Sequence, residues 1–338
     1  MGRVIVLGSL MTDLVAYAAR LPLAGESLLG EDFGMFLGGK GMNQAVAAAR
    51  CGAQVSLVGR VGTDSFGDAF FPALARAGIA DTYVTRDPAV GSGTACILIG
   101  AESGQNVIVA TPRANLTLTA GQVEEALTAL LPLSSHNTPA SQDRVIFLAQ
   151  CETSMASVAA GIRRAHALGC YTMLNTAPVP REPLDATLYA LLDLLIANEV
   201  EAGALAGGMT VDGPDAAQVA AERLLRLGAR GVIVTLGAQG AVWRLRAPEH
   251  GSADATGHMG DTCGWLQPIP VQAVDATAAG DAFCGALAAR LAEGARFADA
   301  LAWGNAAGAL AVTRKGAQPS LPTADEIRAL LAGGGSAA

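Results

Sequence analysis

Charge is scarce in this sequence, and the charge that is present is mainly acidic. Charged residues make up only 15% of the 338 residues, and 22 basic against 30 acidic side chains give a formal net charge of −8. No stretch is rich in lysine or arginine, so nucleic acid and anionic membrane surfaces are poor candidate partners. Hydrophobic residues, at 51%, exclude a disordered chain and can form a large core.

Long apolar runs and closely spaced cysteines are also missing. No segment reaches the roughly 18 uninterrupted apolar residues that a membrane-spanning helix needs, so we expect no membrane partner. The six cysteines form no C-x-x-C pair and are widely spaced. A disulfide framework is not expected in a chain of this size, so we predict reduced thiols and a cytoplasmic protein.

Glycine, by contrast, is abundant. The chain contains 41 glycines, about 12% of its residues, against a usual ~7%. They occur in short clusters with no three-residue period, which excludes a collagen-like chain. Glycine clusters in a globular protein indicate places where the backbone closely approaches a ligand.

Short apolar runs alternate with helical segments along most of the chain. Continuous apolar runs of this kind are typical of parallel strands buried on both faces, and they occur at residues 4–7, 55–58, 145–148, 194–197 and 232–236. Helices are predicted at residues 43–51, 66–77, 154–168, 216–227 and 281–292. This alternation predicts an α/β fold with a mainly parallel, doubly wound sheet flanked by helices.

Two stretches, residues 14–37 and 91–115, do not fit the alternation. The second contains two β-rich pieces, 94–100 and 106–110, around a polar turn, which predicts a hairpin. Together the two stretches predict a small β-sheet lid beside a main domain. That main domain is assigned residues 1–13, 38–90 and 116–338. Polar inserts at 134–143 and 247–264 are predicted to be surface loops.

The first glycine cluster with chemical meaning is LGGKGMNQAV at residues 37–46. Gly34 to Lys40 nearly matches a phosphate-binding P-loop, but that motif requires Ser or Thr next, and Gly41 stands there. No buried strand is predicted before it either. We favour a glycine turn that opens a helix and lets Asn43 reach a polyhydroxy ligand, with a plain glycine turn as the alternative.

The second cluster is VDATAAGDAF at residues 274–283, where small residues lead into a helix. The first N–H groups of a helix lack partners and attract anions, and those of Ala279, Gly280 and Asp281 are expected to do so. A carboxylate at the same place would repel an anion unless it has a task. Removing a proton from a hydroxyl that attacks a phosphoryl group is such a task for Asp281. The alternative is an ordinary acidic residue in a first helical turn.

Two further motifs follow predicted strands. Asn198-Glu199-Val200-Glu201 places acids where Mg²⁺ and phosphates are often bound, usually through water, although a solvated helix start would look the same. The stretch TLGAQG at residues 235–240 is a second strand end with a glycine turn. Ligands of open α/β sheets bind beyond the carboxyl ends of strands.

Taken together, these motifs resemble the ribokinase-like (PfkB) family of carbohydrate kinases over residues 4–322. Both family motifs are present, GGKGMNQAVAAARCGA at 38–53 and DATAAGDAFCGAL at 275–287, with VGTDSFG, NEVE and VTLGAQG between them. The strings at residues 8–14, 20–26 and 311–320 are most similar to those of the members that phosphorylate ribose. The Met11-Thr12-Asp13 form resembles the eukaryotic type.

The resemblance implies a role for individual residues in sugar binding and catalysis. Asp281 would be the catalytic base beside an anion hole of Ala278, Ala279 and Gly280. The implied sugar-binding residues, besides Asp281, are Met11, Thr12, Asp13, Gly39, Lys40, Gly41, Asn43 and Glu152.

The resemblance also implies sites for a nucleotide and two cations. The nucleotide-binding residues would be Asn198, Glu201, Thr235, Leu236, Gly237, Gly240, Gly280 and Asn305, with Glu201 holding Mg²⁺ through water. A potassium site would be formed by Asp275, Thr277, Ala311, Arg314, Gly316 and Ser320.

The implied activity is ATP-dependent phosphorylation of D-ribose at O5, by a homodimer that pairs through the lid. Kinases of the same family that act on 2-deoxyribose, fructose or nucleosides are the enzymatic alternatives. A nucleoside kinase needs an apolar base pocket, and the lid shows no obvious aromatic pair. A sugar-binding protein without catalysis is the remaining alternative, and Asp281 and Lys40 disfavour it.

Overall fold

A nine-stranded sheet forms the centre of the protein. The structure is a computed structural model that describes residues 2–100, 105–131, 144–246 and 262–333. Within the sheet the strands run in the order β13-β12-β11-β10-β9-β8-β1-β4-β5. Their bounds are β1 Arg3–Leu7, β4 Gln54–Gly62, β5 Ala80–Asp87, β8 Val145–Gln150, β9 Tyr171–Asn175, β10 Leu194–Asn198, β11 Gly231–Thr235, β12 Ala241–Leu245 and β13 Thr262–Leu266. All pairings are parallel except β11–β12 and β12–β13.

Both faces of this sheet are buried, which explains the continuous apolar runs. In β1, Val4 and Val6 belong to one hydrophobic core, while Ile5 and Leu7 belong to a second core on the other face. Successive side chains of a strand point to opposite faces, so a strand between two cores must be apolar at every position. The five predicted strands of this kind are confirmed as β1, β4, β8, β10 and β11.

Helices cover both faces. The helices are α1 Lys40–Arg50, α2 Ser65–Arg76, α3 Ala120–Leu130, α4 Met155–Ala167, α5 Ala186–Tyr189, α6 Glu199–Leu205, α7 Pro214–Arg226, α8 Ala279–Ala292, α9 Phe297–Ala311 and α10 Ala324–Gly333. One core lies under α1, α2, α8, α9 and α10, and the other under α3 to α7. The predicted α/β class is therefore confirmed. No helix of the described residues has the length and apolar character needed to cross a membrane.

A second sheet has four strands in the order β3-β2-β6-β7. They are β2 Met11–Ala18, β3 Asp32–Gly38, β6 Gly93–Gly100 and β7 Asn106–Thr111. The antiparallel pairing of β6 with β7 confirms the predicted hairpin, although turn residues 102–104 lie outside the described residues. The strand β2 begins three residues before the predicted lid boundary at residue 14. The function of this sheet as a lid stays a prediction.

One buried side chain binds the backbone at two ends of the second sheet. Asn115, fully buried, accepts a hydrogen bond from Leu10 N (2.9 Å) and donates to Leu10 O and Pro112 O (2.9 Å each). Leu10 precedes β2 and Pro112 follows β7, so Asn115 bonds to the backbone at both places. A Cβ atom at Gly93, the first residue of β6, would lie 2.4 Å from the Asn115 side-chain nitrogen.

The two predicted surface loops lie largely outside the described residues. Residues 134–143 and 247–261 are not described, but the last part of the second insert differs from the prediction. Thr262 to Gly264 begin β13, which pairs with β12. Gly264 lies opposite Trp243, and a Cβ atom there would lie 2.8 Å from the indole ring. Because this glycine lies in the middle of a short edge strand, β13 lacks the apolar pattern by which a strand could have been predicted there.

Candidate active site

The candidate site lies where the order of the sheet reverses. From β1 the chain moves to β4 and β5 on one side, then returns to β8 on the other. A crevice forms beyond the carboxyl ends of the strands at such a switch point. Ser9 follows β1, and Glu152 follows β8. Farther along the same edge, Asn198 and Thr235 end β10 and β11.

The predicted glycine turn opens α1 and presses against the residues after β1. Gly39 has a φ of 90°, a left-handed conformation that favours glycine. A Cβ atom at Gly41 would lie 2.4 Å from the Gly8 carbonyl carbon, so a larger residue cannot fit. The preceding strand β3 belongs to the four-stranded sheet and contains one buried residue, Gly38, unlike the buried strand of a P-loop. The close packing places Lys40 and Asn43 at the crevice.

Glu152 lies at the N-terminus of α1, where its carboxylate meets this turn. One oxygen, Oε2, accepts hydrogen bonds from Ser9 Oγ (2.5 Å) and from Lys40 N (3.0 Å). Burial raises the pKa of Glu152, and the Lys40 ammonium opposes that rise. Ser9 was not among the predicted site residues. A small polar residue directly after a buried strand is the sequence feature that could have identified it.

Asp281 lies in the first turn of α8, and its carboxylate is held from two sides. Its Oδ2 accepts a hydrogen bond from Asn43 Nδ2 (3.0 Å), and its Oδ1 accepts one from Gln44 Nε2 (2.9 Å). The residue before the helix, Ala278, has φ 60° and ψ 10°, an uncommon conformation for a residue with a side chain. Among the described residues, no atom lies within 4 Å of the Cβ position of Gly280, so there is room beside the helix N-terminus.

The charges around Asp281 are unbalanced in favour of carboxylates. Burial, with the Glu152 and Asp281 carboxylates next in importance, raises the pKa of Asp13 to about 6. Burial lowers the pKa of Lys40, but Asp281, Glu152 and Glu201 outweigh it, so that this pKa lies above its usual value. One ammonium group thus faces several acids. Such a pocket can accept hydrogen bonds from several sugar hydroxyls and can take up a proton.

Met11 and Thr12, the other predicted sugar ligands on β2, point to opposite faces of the strand. Side chains alternate along a strand, so Met11 and Asp13 share one face and Thr12 lies on the other. The Thr12 hydroxyl is buried and has no hydrogen-bond partner among the described residues. The sugar-binding roles of Met11 and Thr12 stay predictions.

The predicted nucleotide residues lie along the neighbouring strand ends. Asn198 caps α6 and forms a reciprocal pair with Glu201: Glu201 N donates to Asn198 Oδ1 (2.8 Å), and Asn198 N donates to Glu201 Oε2 (2.9 Å). Burial raises the pKa of Glu201. No group of three acidic, histidine or cysteine side chains able to hold a metal occurs in the described part of the chain. Mg²⁺ is usually bound by one or two carboxylates, waters and substrate phosphates, which fits a single Glu201.

A tight turn after β11 lies beside this pair. Leu236 N donates to Gly240 O (2.8 Å), and Gly237 and Gly240 have φ values of 52° and 85°. A Cβ atom at Gly240 would lie 2.1 Å from Leu266 O, so the turn must contain glycine here. Asn305 of α9 donates to Gln267 O (2.9 Å) just beyond β13. Strand β13 thus links the turn to Asn305.

Part of the predicted potassium loop comes together around Asp275. Asp275 accepts hydrogen bonds from Thr277 N (2.9 Å, to Oδ1) and Gly316 N (2.8 Å, to Oδ2), joining two distant segments. Partial burial raises the pKa of Asp275, but these hydrogen bonds outweigh it and the pKa lies below its usual value. Ala311 ends α9, and the Ser320 hydroxyl is buried. The Arg314 side chain points to Glu326, so only its backbone is available to the loop.

Comparisons with known proteins identify the family of the chain. A family model described as pfkB family carbohydrate kinase matches residues 1–324. The chain is 37% identical to a mouse ribokinase over 326 residues, 94% of this chain and 91% of the mouse protein. It is also 32% identical to a deoxyribokinase of Salmonella typhi over 326 residues, 96% of this chain and 97% of that protein.

A solved structure agrees with the fold as well. The structure of Arabidopsis thaliana ribokinase complexed with ribose and ATP superposes with a TM-score of 0.80 at 27% identity. The match covers 98% of this chain and 99% of the plant protein. With the family model and these relatives both spanning nearly the whole sequence, the chain belongs to the pfkB family of carbohydrate kinases.

Proposed function

We propose that this chain transfers the γ-phosphoryl group of Mg·ATP to O5 of D-ribose, with Asp281 as the general base. The observation that carries the proposal is the position of Asp281. Its carboxylate is held by amides at a helix N-terminus, next to the open space at Gly280 and on the same crevice as Asp13, Lys40 and Glu152. The likeness to the mouse and plant ribokinases supports ribose as the sugar.

The reaction follows from these groups. Asp13 and Glu152 accept hydrogen bonds from sugar hydroxyls, while Lys40 and Asn43 donate, which orients the sugar. Asp281 takes the proton of the O5 hydroxyl as that oxygen attacks phosphorus. The O5–P bond forms, the bond from phosphorus to the β-phosphate oxygen breaks, and ADP leaves. The N–H groups of Ala279 and Gly280 stabilise the negative charge on the transferring group.

Residues for the nucleotide and the two cations are assigned from the family resemblance and from their places at the strand ends and the loop before α8. Glu201 would hold Mg²⁺ through water beside the phosphates, and the TLGAQG turn with Asn305 would contact the nucleotide. Mg²⁺ would neutralise phosphate charge when bound. The oxygens around Asp275, Gly316 and Ser320 would hold K⁺, which would fix the loop before α8. The hydrogen bonds from Thr277 and Gly316 to Asp275 suit this role, but they also suit a plain turn cap.

The cellular compartment and the oligomeric state of the protein are also proposals. All six cysteines are free, in agreement with a reducing compartment such as the cytoplasm. The four-stranded sheet exposes apolar side chains on one face, including Phe33 (60% exposed) and Met35 (62%). An exposed apolar face of this kind marks an interaction surface, and we propose that a second copy covers it. Light scattering of the purified protein should show a dimer, and Met35→Lys should shift it towards monomer.

A substrate panel tests the proposed activity. ADP release would be measured with a coupled assay on D-ribose, 2-deoxy-D-ribose, D-fructose and adenosine at several concentrations. We expect the highest kcat/KM with D-ribose, and Asp281→Asn should lower kcat by about 10²–10⁴-fold with ribose still bound. A preference for 2-deoxyribose would instead indicate the activity for which the Salmonella typhi deoxyribokinase is named. Ribose binding without any turnover would indicate a binding protein.

A further inference from the structure

A buried network of amide side chains lies behind Asp281. Asn43 and Gln44 are adjacent in α1, and each donates a hydrogen bond to a different oxygen of the Asp281 carboxylate. Asn43 is a predicted sugar ligand, whereas Gln44 faces away from solvent and is fully buried. No part of the sugar, nucleotide or cation sites uses Gln44.

Gln44 is itself held by two strand ends. Its Oε1 accepts a hydrogen bond from Gln150 Nε2 (2.7 Å) at the end of β8, and its Nε2 donates to Asn175 Oδ1 (3.0 Å) at the end of β9. Asn175 in turn donates to Ile196 O (3.2 Å) in β10. With acceptors facing its nitrogen and a donor facing its oxygen, the Gln44 amide has one favourable orientation.

The contact between Gln44 and Asp281 depends on a close crossing of two helices. A Cβ atom at Gly285 in α8 would lie 2.5 Å from both Gln44 O and the Ala47 side chain of α1. Only a glycine permits this approach of the two backbones. Asp281 lies one turn before Gly285, so the crossing brings its carboxylate to the amides of α1.

The amide side chains around Asp281 are better suited to holding a general base than to stabilising the hydrophobic core. Amide donors hold a carboxylate in place without adding a charge, so the carboxylate stays an acceptor for another proton. Alanine otherwise predominates between α1 and α8. Burying several polar side chains there is energetically less favourable than continuing the apolar contact. The Gln44 amide itself uses its nitrogen twice and its oxygen once, which fixes one geometry, as a general base requires. The outer oxygens of the network, Asn43 Oδ1 and Gln150 Oε1, have no partner among the described residues.

We infer that Gln44 is a positioning residue that fixes the orientation of the Asp281 carboxylate, with Gln150 and Asn175 fixing Gln44. The inference rests on the proposed role of Asp281 as the base. Gln44 holds Oδ1 and so prevents rotation of the carboxylate away from the attacking hydroxyl. The strand ends of β8 and β9 thereby determine the position of a group on α8.

The test compares Gln44→Met with Gln150→Met in the full chain. Methionine preserves the volume of glutamine but provides neither its donor nor its acceptor. Gln44→Met should lower kcat for ribose by about 10- to 100-fold, the size of a misplacement near 1 Å. Dissociation constants for ribose and for Mg·ATP, from calorimetry, should change by less than about threefold. Gln150→Met removes one of the two groups that hold Gln44 but leaves the bond to Asp281, so kcat should fall by about two- to fivefold, less than in Gln44→Met.

A double-mutant cycle separates positioning from a general structural role. If Gln44 acts through Asp281, then Gln44→Met should cause no further loss of kcat in an Asp281→Asn background. An unchanged kcat in Gln44→Met, a loss confined to ribose affinity, or independent losses in the double variant would overturn the inference alone. More than about a tenth of wild-type kcat in Asp281→Asn would overturn the base assignment as well.

Folding of the variants is checked by circular dichroism and thermal unfolding. If Gln44→Met does not fold, Gln44→Asn provides the test, because it keeps a neutral amide in the network and is one methylene too short to keep the bond to Asp281 Oδ1. Its kcat should again fall by more than about tenfold. Wild-type kcat in Gln44→Asn would contradict the inference equally.

Discussion

Asp13→Asn should stabilise the folded protein at neutral pH while impairing its reaction with the sugar. The pKa of Asp13 is raised from 3.8 to about 6 in the fold, because burial and the carboxylates of Glu152 and Asp281 oppose its charge. A raised pKa in the folded state means that the group contributes most stability below pH 3.8 and loses that contribution as the pH rises through about 6. The asparagine side chain is uncharged, so burial and the neighbouring carboxylates do not destabilise it in this way.

The magnitude follows from the shift. About two pKa units at 1.36 kcal/mol each correspond to roughly 3 kcal/mol. The unfolding free energy of Asp13→Asn minus that of the unchanged protein should therefore rise by up to about 3 kcal/mol between pH 4 and pH 7, and level off above. Any fixed difference caused by altered hydrogen bonds cancels, since only the change with pH is compared.

Urea unfolding followed by circular dichroism at several pH values measures this difference. Asp32→Asn, at an exposed position on the neighbouring strand β3, controls for the loss of one negative charge. At pH 7 the same Asp13→Asn protein should lose about 1.5–3 kcal/mol in kcat/KM for ribose, with Mg·ATP binding unchanged. A stability difference that is flat or falls from pH 4 to pH 7 would refute the electrostatic argument, and equal weakening of ribose and nucleotide would refute the assignment to the sugar.

Three further changes test other features. Ala278 has a left-handed conformation, so Ala278→Gly should leave the unfolding free energy unchanged or raise it by up to about 1 kcal/mol, whereas Ala278→Val should lower it by more than about 1 kcal/mol. The opposite order of the two variants in urea unfolding would argue against backbone strain at Ala278. Turnover in K⁺ should be several-fold higher than in Na⁺ at fixed ionic strength, and Asp275→Ala should abolish the difference; equal rates in both salts would leave Asp275 as a turn cap. Asn115→Ala should lower the unfolding free energy by about 3 kcal/mol or more, since three backbone groups lose their partner; a loss below about 1 kcal/mol would show that water replaces the amide.

Five of the seven interior strands of the large sheet could be predicted, because burial on both faces leaves a continuous apolar run. The other two, β9 and β12, were missed because Thr172 and Arg244 interrupt their apolar runs. Edge strands carry no such pattern. In β5, buried and exposed residues are mixed, and in β13 a glycine faces Trp243, so neither was predicted. Helix α9 was also missed, because alanine and glycine along most of its length give no polar face to set the period.

The site was predictable where one short motif holds a functional group. Asp281 and Asn43 each belong to a glycine-rich string that begins a helix, and the structure brings them within 3.0 Å. Gln44 was not predictable, because its partner Asp281 is 237 residues away and the contact depends on how closely α1 and α8 cross. The left-handed conformation of Ala278 was equally invisible, since it follows from the path of the chain rather than from the residue type.

Asn115 has a mechanical consequence for the four-stranded sheet. Its side chain binds the backbone at Leu10 and Pro112, so a rotation of that sheet that kept these three bonds would have its axis close by. Asp13 lies three residues from Leu10, about 10 Å along an extended strand, whereas Ala18 at the far end lies about 26 Å away. If the four-stranded sheet rotates about this place, Ala18 would move more than twice as far as Asp13, so the position of the Asp13 carboxylate would change much less than that of the rim.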